Sequence, residues 1–280
     1  MARADAGIKP SLKMDLMPKP VALIVAPFHM GLENKAVGAG PNRLLEAGAD
    51  RVLSFRNRPA QVEHIRLRDA ECKDLDAVVD VGRQVRVAVR QAIEQDMLAV
   101  VLAGNCSSCL GTLGGLEPAD TGVVWLDAHA DFHVPETSRS GFLDGMALAM
   151  AVGHCHEDLR GRIGFTRPVQ EDKVCLLGTR DIEAGEQERL EASAISGNPP
   201  ADVEAVYLHI DLDVLNADES PGVNYRGPGS WTLKEACAMV RSVATELPLA
   251  AVNLTNYRPD LDPEAKSTWA ALELLRQLAQ

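Results

Sequence analysis

The strongest constraint on the fold is a series of short apolar segments rich in Val, Leu and Ile. They lie at residues 21–28, 51–55, 98–103, 122–128, 173–178, 206–214 and 249–255. Several are continuous, without the apolar–polar alternation of a half-buried strand. That pattern suits strands covered on both faces of a parallel sheet. Helical candidates lie between them, at residues 41–47, 74–95, 143–152, 183–194, 233–246 and 263–279. Residues 74–95 space their apolar positions as an amphipathic helix does. Thr232 and Asp262 read as N-caps, with Pro263 at a first helical position. Residues 157–170 and 216–230 are rich in Gly, Pro and charge, and read as loops. The β–α alternation predicts one α/β domain over residues 20–280, after a polar, flexible lead-in at residues 1–19.

Composition narrows the function. At 280 residues and 46% hydrophobic, the chain can build one sizeable core; with 4% aromatics, that core is aliphatic. The formal charge is −12 and no basic block is present. Nucleic acid and anionic membrane surfaces are therefore poor partners, and a small-molecule substrate is the simpler expectation. No apolar run approaches the roughly 18 residues of a membrane span. The first residues lack the apolar stretch of a secretory signal. Six cysteines in a chain this long make no disulfide framework, so a reducing cytoplasm is expected.

Two stretches carry chemistry. In residues 122–131 (GVVWLDAHAD), a strand runs into Asp127, His129 and Asp131. In residues 206–214 (VYLHIDLDV), His209, Asp211 and Asp213 alternate with apolar residues. Alternate side chains of an extended segment share a face, so each trio converges. Strand C-terminal ends are where open parallel sheets place ligands. Burying one unpaired carboxylate in a dry medium costs on the order of tens of kcal/mol. Four converging carboxylates, with no Lys or Arg inside either stretch, call for divalent cations. Carboxylate with imidazole suits Mn²⁺, Fe²⁺, Ni²⁺ or Zn²⁺, as one or two ions. A third element follows the strand at 98–103: Gly104-Asn-Cys-Ser-Ser-Cys109. Its C-x-x-C reads either as a redox dithiol or as a buried helical Cys109 with Cys106 free to bind metal.

At these residues the chain resembles the ureohydrolase family, which includes arginase, agmatinase and formimidoylglutamase. Asp127-Ala-His-Ala-Asp131 matches that family's D-A-H-x-D, and His209-Ile-Asp-Leu-Asp213 its S/H-x-D-x-D. Residues 135–145 and 38–47 match two further segments. The resemblance implies a three-layer α-β-α sandwich around a mainly parallel sheet of roughly eight strands. It also implies a manganese site in which Asp127 and Asp211 bridge two ions. His129 and Asp213 would hold one ion and Asp131 the other, and a metal-activated hydroxide would attack a guanidinium or amidine carbon. Relatives are commonly trimers or hexamers, so a homo-oligomer is expected.

Departures from the family pattern bear on substrate. Cys106 stands where the first histidine ligand is usual, and a thiolate is softer than imidazole. Asp144 replaces the arginase proton-shuttle histidine. Asn256 replaces the glutamate that grips the guanidinium, and His133 an asparagine. Ser140 and Glu183 fall where relatives bind the amino-acid end of the substrate. The expected roles are therefore metal binding by Cys106, Asp127, His129, Asp131, Asp211 and Asp213. Proton handling falls to Asp131, Asp144 and His133, and substrate binding to Ser140, Glu183 and Asn256. The expected activity is hydrolysis of C–N bonds in a linear amidine, guanidine or hydroxyguanidine. The alternative is a non-catalytic metal-binding relative that binds a small ligand or regulates a partner.

Overall fold

The computed structural model describes residues 19–54, 58–68, 74–116, 120–227 and 231–279. Among these, seven strands form one sheet in the order β4-β1-β5-β9-β8-β6-β7. They are β1 (Val21–Ala26), β4 (Gln61–His64), β5 (Leu98–Ala103), β6 (Thr121–Leu126), β7 (Val174–Leu177), β8 (Ala205–Asp211) and β9 (Leu249–Thr255). Two short strands, β2 (Phe28–His29) and β3 (Leu32–Glu33), pair apart from it. All pairings in the large sheet are parallel. The expected α/β class and parallel sheet hold, with seven described strands where about eight were expected.

Helices cover both faces. On one face lie α3 (Asp74–Glu94), α4 (Cys109–Leu116), α5 (Ala147–Ala151) and α6 (Glu157–Ile163). On the other lie α1 (Gly40–Glu46), α2 (Ala49–Val52), α8 (Leu233–Glu246) and α9 (Lys266–Arg276). A further helix, α7 (Ala184–Glu191), follows β7. Successive strand residues feed opposite layers. Val123 and Trp125 pack towards α3 and α4, while Val124 and Leu126 pack towards α8 and α9. Burial on both faces is why these strands read as unbroken apolar runs.

The exceptions have local causes. The strand expected at 51–55 is instead the end of α2, which starts after Gly48 at φ 104; Phe55 lies outside the described residues. The true neighbour of β1 is β4, all of whose residues are exposed. An edge strand with polar side chains carries no apolar run to detect. Residues 157–163, expected as loop, form α6, with Glu157 and Asp158 in its first turn and Gly164 at φ 97 ending it. Helix α4 is buried along its whole length, so it shows no amphipathic period. Its glycines let it press on α3: a Cβ on Gly111 would lie 2.6 Å from the Gly82 carbonyl oxygen. Thr232 caps α8 in a reciprocal pair with Glu235, as expected. Asp262 sits outside α9, whose first residue is Lys266, and Pro263 lies in a turn. The Asp262 carboxylate still accepts from Ser267 N at 3.2 Å and Thr268 N at 3.0 Å, so it caps from a distance. No described helix is long and apolar enough to cross a membrane.

The consequence for function is positional. The strands β5, β9, β8 and β6 are consecutive in the sheet and parallel. Their C-terminal ends therefore open on the same edge. Cys106 follows β5, Thr255 ends β9, Asp211 ends β8, and Asp127 follows β6.

Candidate metal centre

The two acidic stretches meet at that edge. Asp127, Asp131, Asp211 and Asp213 are all buried, none more than 6% exposed. His129 bridges the stretches, its Nδ1 at 3.1 Å from Asp213 Oδ2 and 3.4 Å from Asp127 Oδ1. Asn256 donates through Nδ2 to Asp211 Oδ1 at 3.1 Å and Asp213 Oδ2 at 3.2 Å. The Cys106 thiol donates to Asp211 Oδ2 at 3.1 Å. Trp125 Nε1 donates to Asp127 Oδ2 at 3.1 Å. Backbone N–H groups of His129 and Asp213 fix Asp127 Oδ1 and Asp211 Oδ1, at 2.7 and 2.9 Å. Each such bond closes on a carboxylate two residues earlier, made possible as the chain turns at the strand end.

Two sets of donor atoms lie within 4.8 Å of one another: Asp127, His129 and Asp213, and Cys106, Asp127, His209 and Asp211. Asp131 adds a buried oxygen, Oδ2, that has no hydrogen-bond partner. Its backbone is in the left-handed region at φ 49, and its carbonyl accepts from Leu148 N and Ala149 N. The site is thus locked onto the start of α5.

Electrostatics are unbalanced without a cation. Burial, reinforced by neighbouring carboxylates, pushes Asp131 and Asp211 well above the usual carboxylate range. Burial and Asp127 raise Asp213 to about 6. Burial also presses on Asp127, but the His129 bonds outweigh it and hold it low. Burial opposes a charge on His129, yet the two carboxylates flanking it raise it to about 12. Among the described residues, the donors reaching these carboxylates are backbone amides, Trp125, Asn256, Thr255, the Cys106 thiol and the His129 ring. One imidazolium against four buried carboxylates leaves a deficit, and Asp131 Oδ2 is buried without a partner. This donor set fits divalent cations.

The other expected site residues lie around this centre. Asp144 is not turned to solvent: it accepts from Asn105 Nδ2, from Ser107 N at 3.2 Å and from Ser107 Oγ at 2.9 Å. It therefore braces the turn that carries Cys106. His133 is half-buried, with Nδ1 at 3.1 Å from Thr137 Oγ1 and Nε2 at 3.8 Å from the buried Glu186. Glu183 is exposed at the start of α7 and paired with Arg139 at 3.6 Å. Ser140 is also exposed, its hydroxyl accepting from Phe142 N. Cys109 is fully buried in α4 and its thiol points at the Ala147 carbonyl, which excludes an accessible dithiol with Cys106.

Several neighbours were not legible in sequence. His129 is the open side of the centre, with Asp181 Oδ2 3.8 Å from its Nε2 and the exposed Tyr225 ring edge-on at 6.2 Å. The Arg180 guanidinium donates to the Asp213 carbonyl at 2.9 Å. Tyr207 and Thr255 meet the two ring nitrogens of His209, Thr255 from β9 and 46 residues away in sequence. Only His209 had a signal, its alternation with Asp211.

The model of the arginase family matches residues 19–280. The chain belongs to the arginase family. Arginase of Bacillus subtilis (strain 168) is 26% identical, over 94% of this chain and 98% of its own length. Arginase of Schizosaccharomyces pombe is 28% identical, over 89% of this chain and 88% of its own. The crystal structure of arginase from Bacillus cereus shares the fold with a TM-score of 0.84 at 24% identity, over 93% of this chain and 98% of that one. In this arginase-family chain, the acidic motifs, the histidine between them and the strand ends that carry them are all assembled at one edge.

Proposed function

We propose that this protein is a metal-dependent hydrolase of C–N bonds in a linear amidine, guanidine or hydroxyguanidine. The observation that carries the reading is the buried convergence of Asp127, Asp211 and Asp213 with His129, His209 and Cys106. Asp127 and Asp211 would bridge, His129 and Asp213 would hold one cation, and Cys106 and Asp131 the other. The cation is manganese, or nickel, iron or zinc. When bound, a divalent cation supplies Lewis acidity and brings the pKa of water near neutrality.

The chain's own groups do the rest. The backbone bonds on Asp127 and Asp211 fix the bridging carboxylates, so little reorganisation is left to the reaction. The second oxygen of Asp131, free of other partners, is the acceptor available to orient an attacking water. His133, held between Thr137 and Glu186, would be the group to pass a proton to the leaving nitrogen. Asp144 is spent on the Asn105 and Ser107 turn, so its role is to position Cys106 rather than to relay protons. Ser140, Glu183 and Arg139 form a polar rim suited to the amino-acid end of a substrate. Asn256 presents a neutral amide already engaged on Asp211 and Asp213, which favours a neutral group over a guanidinium cation.

Urea release from arginine, agmatine, guanidinobutyrate and hydroxyarginine, with each of the four metals, tests the reading. Turnover of any of them supports it. A second reading, a metal-binding relative without catalysis, is favoured by the engagement of Asn256 and Asp144. No turnover across the panel, with metal bound, would decide for that one. The same reading carries a domain over residues 20–280, a reducing cytoplasm and a homo-oligomer. Sedimentation checks the last.

A further inference from the structure

One imidazole at the centre has no place in the ligand set above. His209 is fully buried on β8, two residues before Asp211 and on the same face of the strand. Its ring lies flat on Trp125, its neighbour in register, with centroids 3.7 Å apart and planes at 9°. Nδ1 is 2.9 Å from the Tyr207 hydroxyl. Nε2 is 3.4 Å from Thr255 Oγ1, and that hydroxyl lies 3.6 Å from Cys106 Sγ and 3.4 Å from Asp211 Oδ2. The ring is therefore clamped in one orientation, with Nε2 on the side of the sulfur and the carboxylates.

One of the two ring tautomers leaves that nitrogen available. With Nδ1–H donating to Tyr207, Nε2 keeps its lone pair. Thr255 does not need it, because its hydroxyl has the Ile210 carbonyl and Asp211 Oδ2 as other acceptors, each at 3.4 Å. A ring nitrogen oriented by a hydrogen bond on its other nitrogen is the usual arrangement of a metal-binding histidine. Cys106, Asp127, His209 and Asp211 offer four donor atoms within 4.8 Å of one another. Bond lengths of about 2.0–2.3 Å to nitrogen, oxygen and sulfur place tetrahedral ligand atoms roughly 3.3–3.8 Å apart. A contraction of about an ångström closes the set.

We infer that His209 Nε2, rather than Asp131, pairs with Cys106 Sγ, completing with Asp127 and Asp211 a four-donor position for a borderline, thiol-tolerant cation such as Zn²⁺. This rests on the reading of Asp127, His129 and Asp213 as the neighbouring cation position. Manganese suits that neighbouring oxygen-rich position, whereas thiolate and imidazole together favour zinc. The chain would then hold two chemically unlike cations side by side.

Cadmium NMR of the full-length, metal-stripped protein under reducing conditions tests this, with histidine nitrogen-labelled and cadmium standing in for zinc. The expected spectrum has two cadmium resonances. One lies in the thiolate-bound range and is split by one histidine nitrogen; the other lies in the oxygen-bound range and is split by His129. His209→Gln should remove the splitting from the thiolate resonance and weaken cadmium uptake there by more than about 100-fold. That exceeds the roughly 10–100-fold typical of losing an outer partner, which is the loss expected for Tyr207→Phe with the splitting retained. A thiolate resonance without nitrogen splitting in the wild-type protein overturns the inference, whether or not the variants fold. A lone resonance split by His129 also overturns it while leaving the neighbouring position intact. No cadmium on His129 removes the underlying reading as well.

Discussion

Asp131 offers a test in which stability and metal binding move in opposite directions. Its Oδ2 is buried without a partner, and burial together with Asp127, Asp144 and Asp211 pushes its pKa far up. Its φ of 49 is one that Asn adopts with little penalty, so Asp131→Asn keeps shape and backbone while removing a charge. A buried polar oxygen left unsatisfied costs about 1–3 kcal/mol, and a charged one more. In chelator at pH 8 the variant should therefore be more stable than the wild type by about 1–3 kcal/mol. For a chain of this length that is roughly 2–6 °C in Tm, at about 2 °C per kcal/mol. The sign with pH follows from the direction of the shift. A carboxylate raised on folding binds more protons folded than unfolded, so its penalty is absent below the ordinary carboxylate value of about 4 and grows as pH rises. The gap between the two proteins should narrow at pH 5. With Mn²⁺ the order should reverse. The wild type gains about 2.7 kcal/mol at a hundredfold excess over Kd, and the variant, with one anionic charge fewer beside the cations, gains less. Scanning calorimetry in chelator and in Mn²⁺, at both pH values, reads all four terms. A variant less stable than the wild type in chelator at pH 8, or one with an equal metal-induced gain, refutes the reasoning.

Other expectations follow from particular contacts. Gly104→Ala places a Cβ 2.3 Å from the Phe28 carbonyl oxygen and 2.9 Å from Gly38 N, both backbone atoms that cannot swing away. A loss of at least about 1–3 kcal/mol in denaturant melts is expected, with reduced metal uptake through the displaced Cys106. Thr232→Ala removes the capping pair with Glu235 on the exposed start of α8. It should lose about 1 kcal/mol while metal content by elemental analysis stays unchanged. Asn256→Glu replaces a donor to Asp211 and Asp213 with a further carboxylate. The metal-free protein should melt lower, and the ratio of kcat/KM for arginine over hydroxyarginine should rise; an unchanged ratio would remove Asn256 from substrate selection.

What the sequence determined by itself was local and periodic. Unbroken apolar runs announced strands buried on both faces, and the two-residue spacing in each acidic stretch put its carboxylates together. Strand geometry dictates that, whatever the neighbours. Where local pattern was weak the reading missed: β4 is polar because it is an edge, and α4 has no polar face because it is buried. Asp144 was assigned from its place along the chain, and its bonds to Asn105 and Ser107, across a separation of about forty residues, tie it to the turn that carries Cys106. The tertiary structure alone decided that β9 lies between β5 and β8, which brings Thr255 and Asn256 against Asp211 and Asp213. It alone set Cys106 beside an aspartate 105 residues away, and His209 beneath both. Sheet order is fixed by how helices on two faces bury their apolar sides, which no window of sequence contains. The motifs named the candidate donors, and the order of the strands decided which of them lie together.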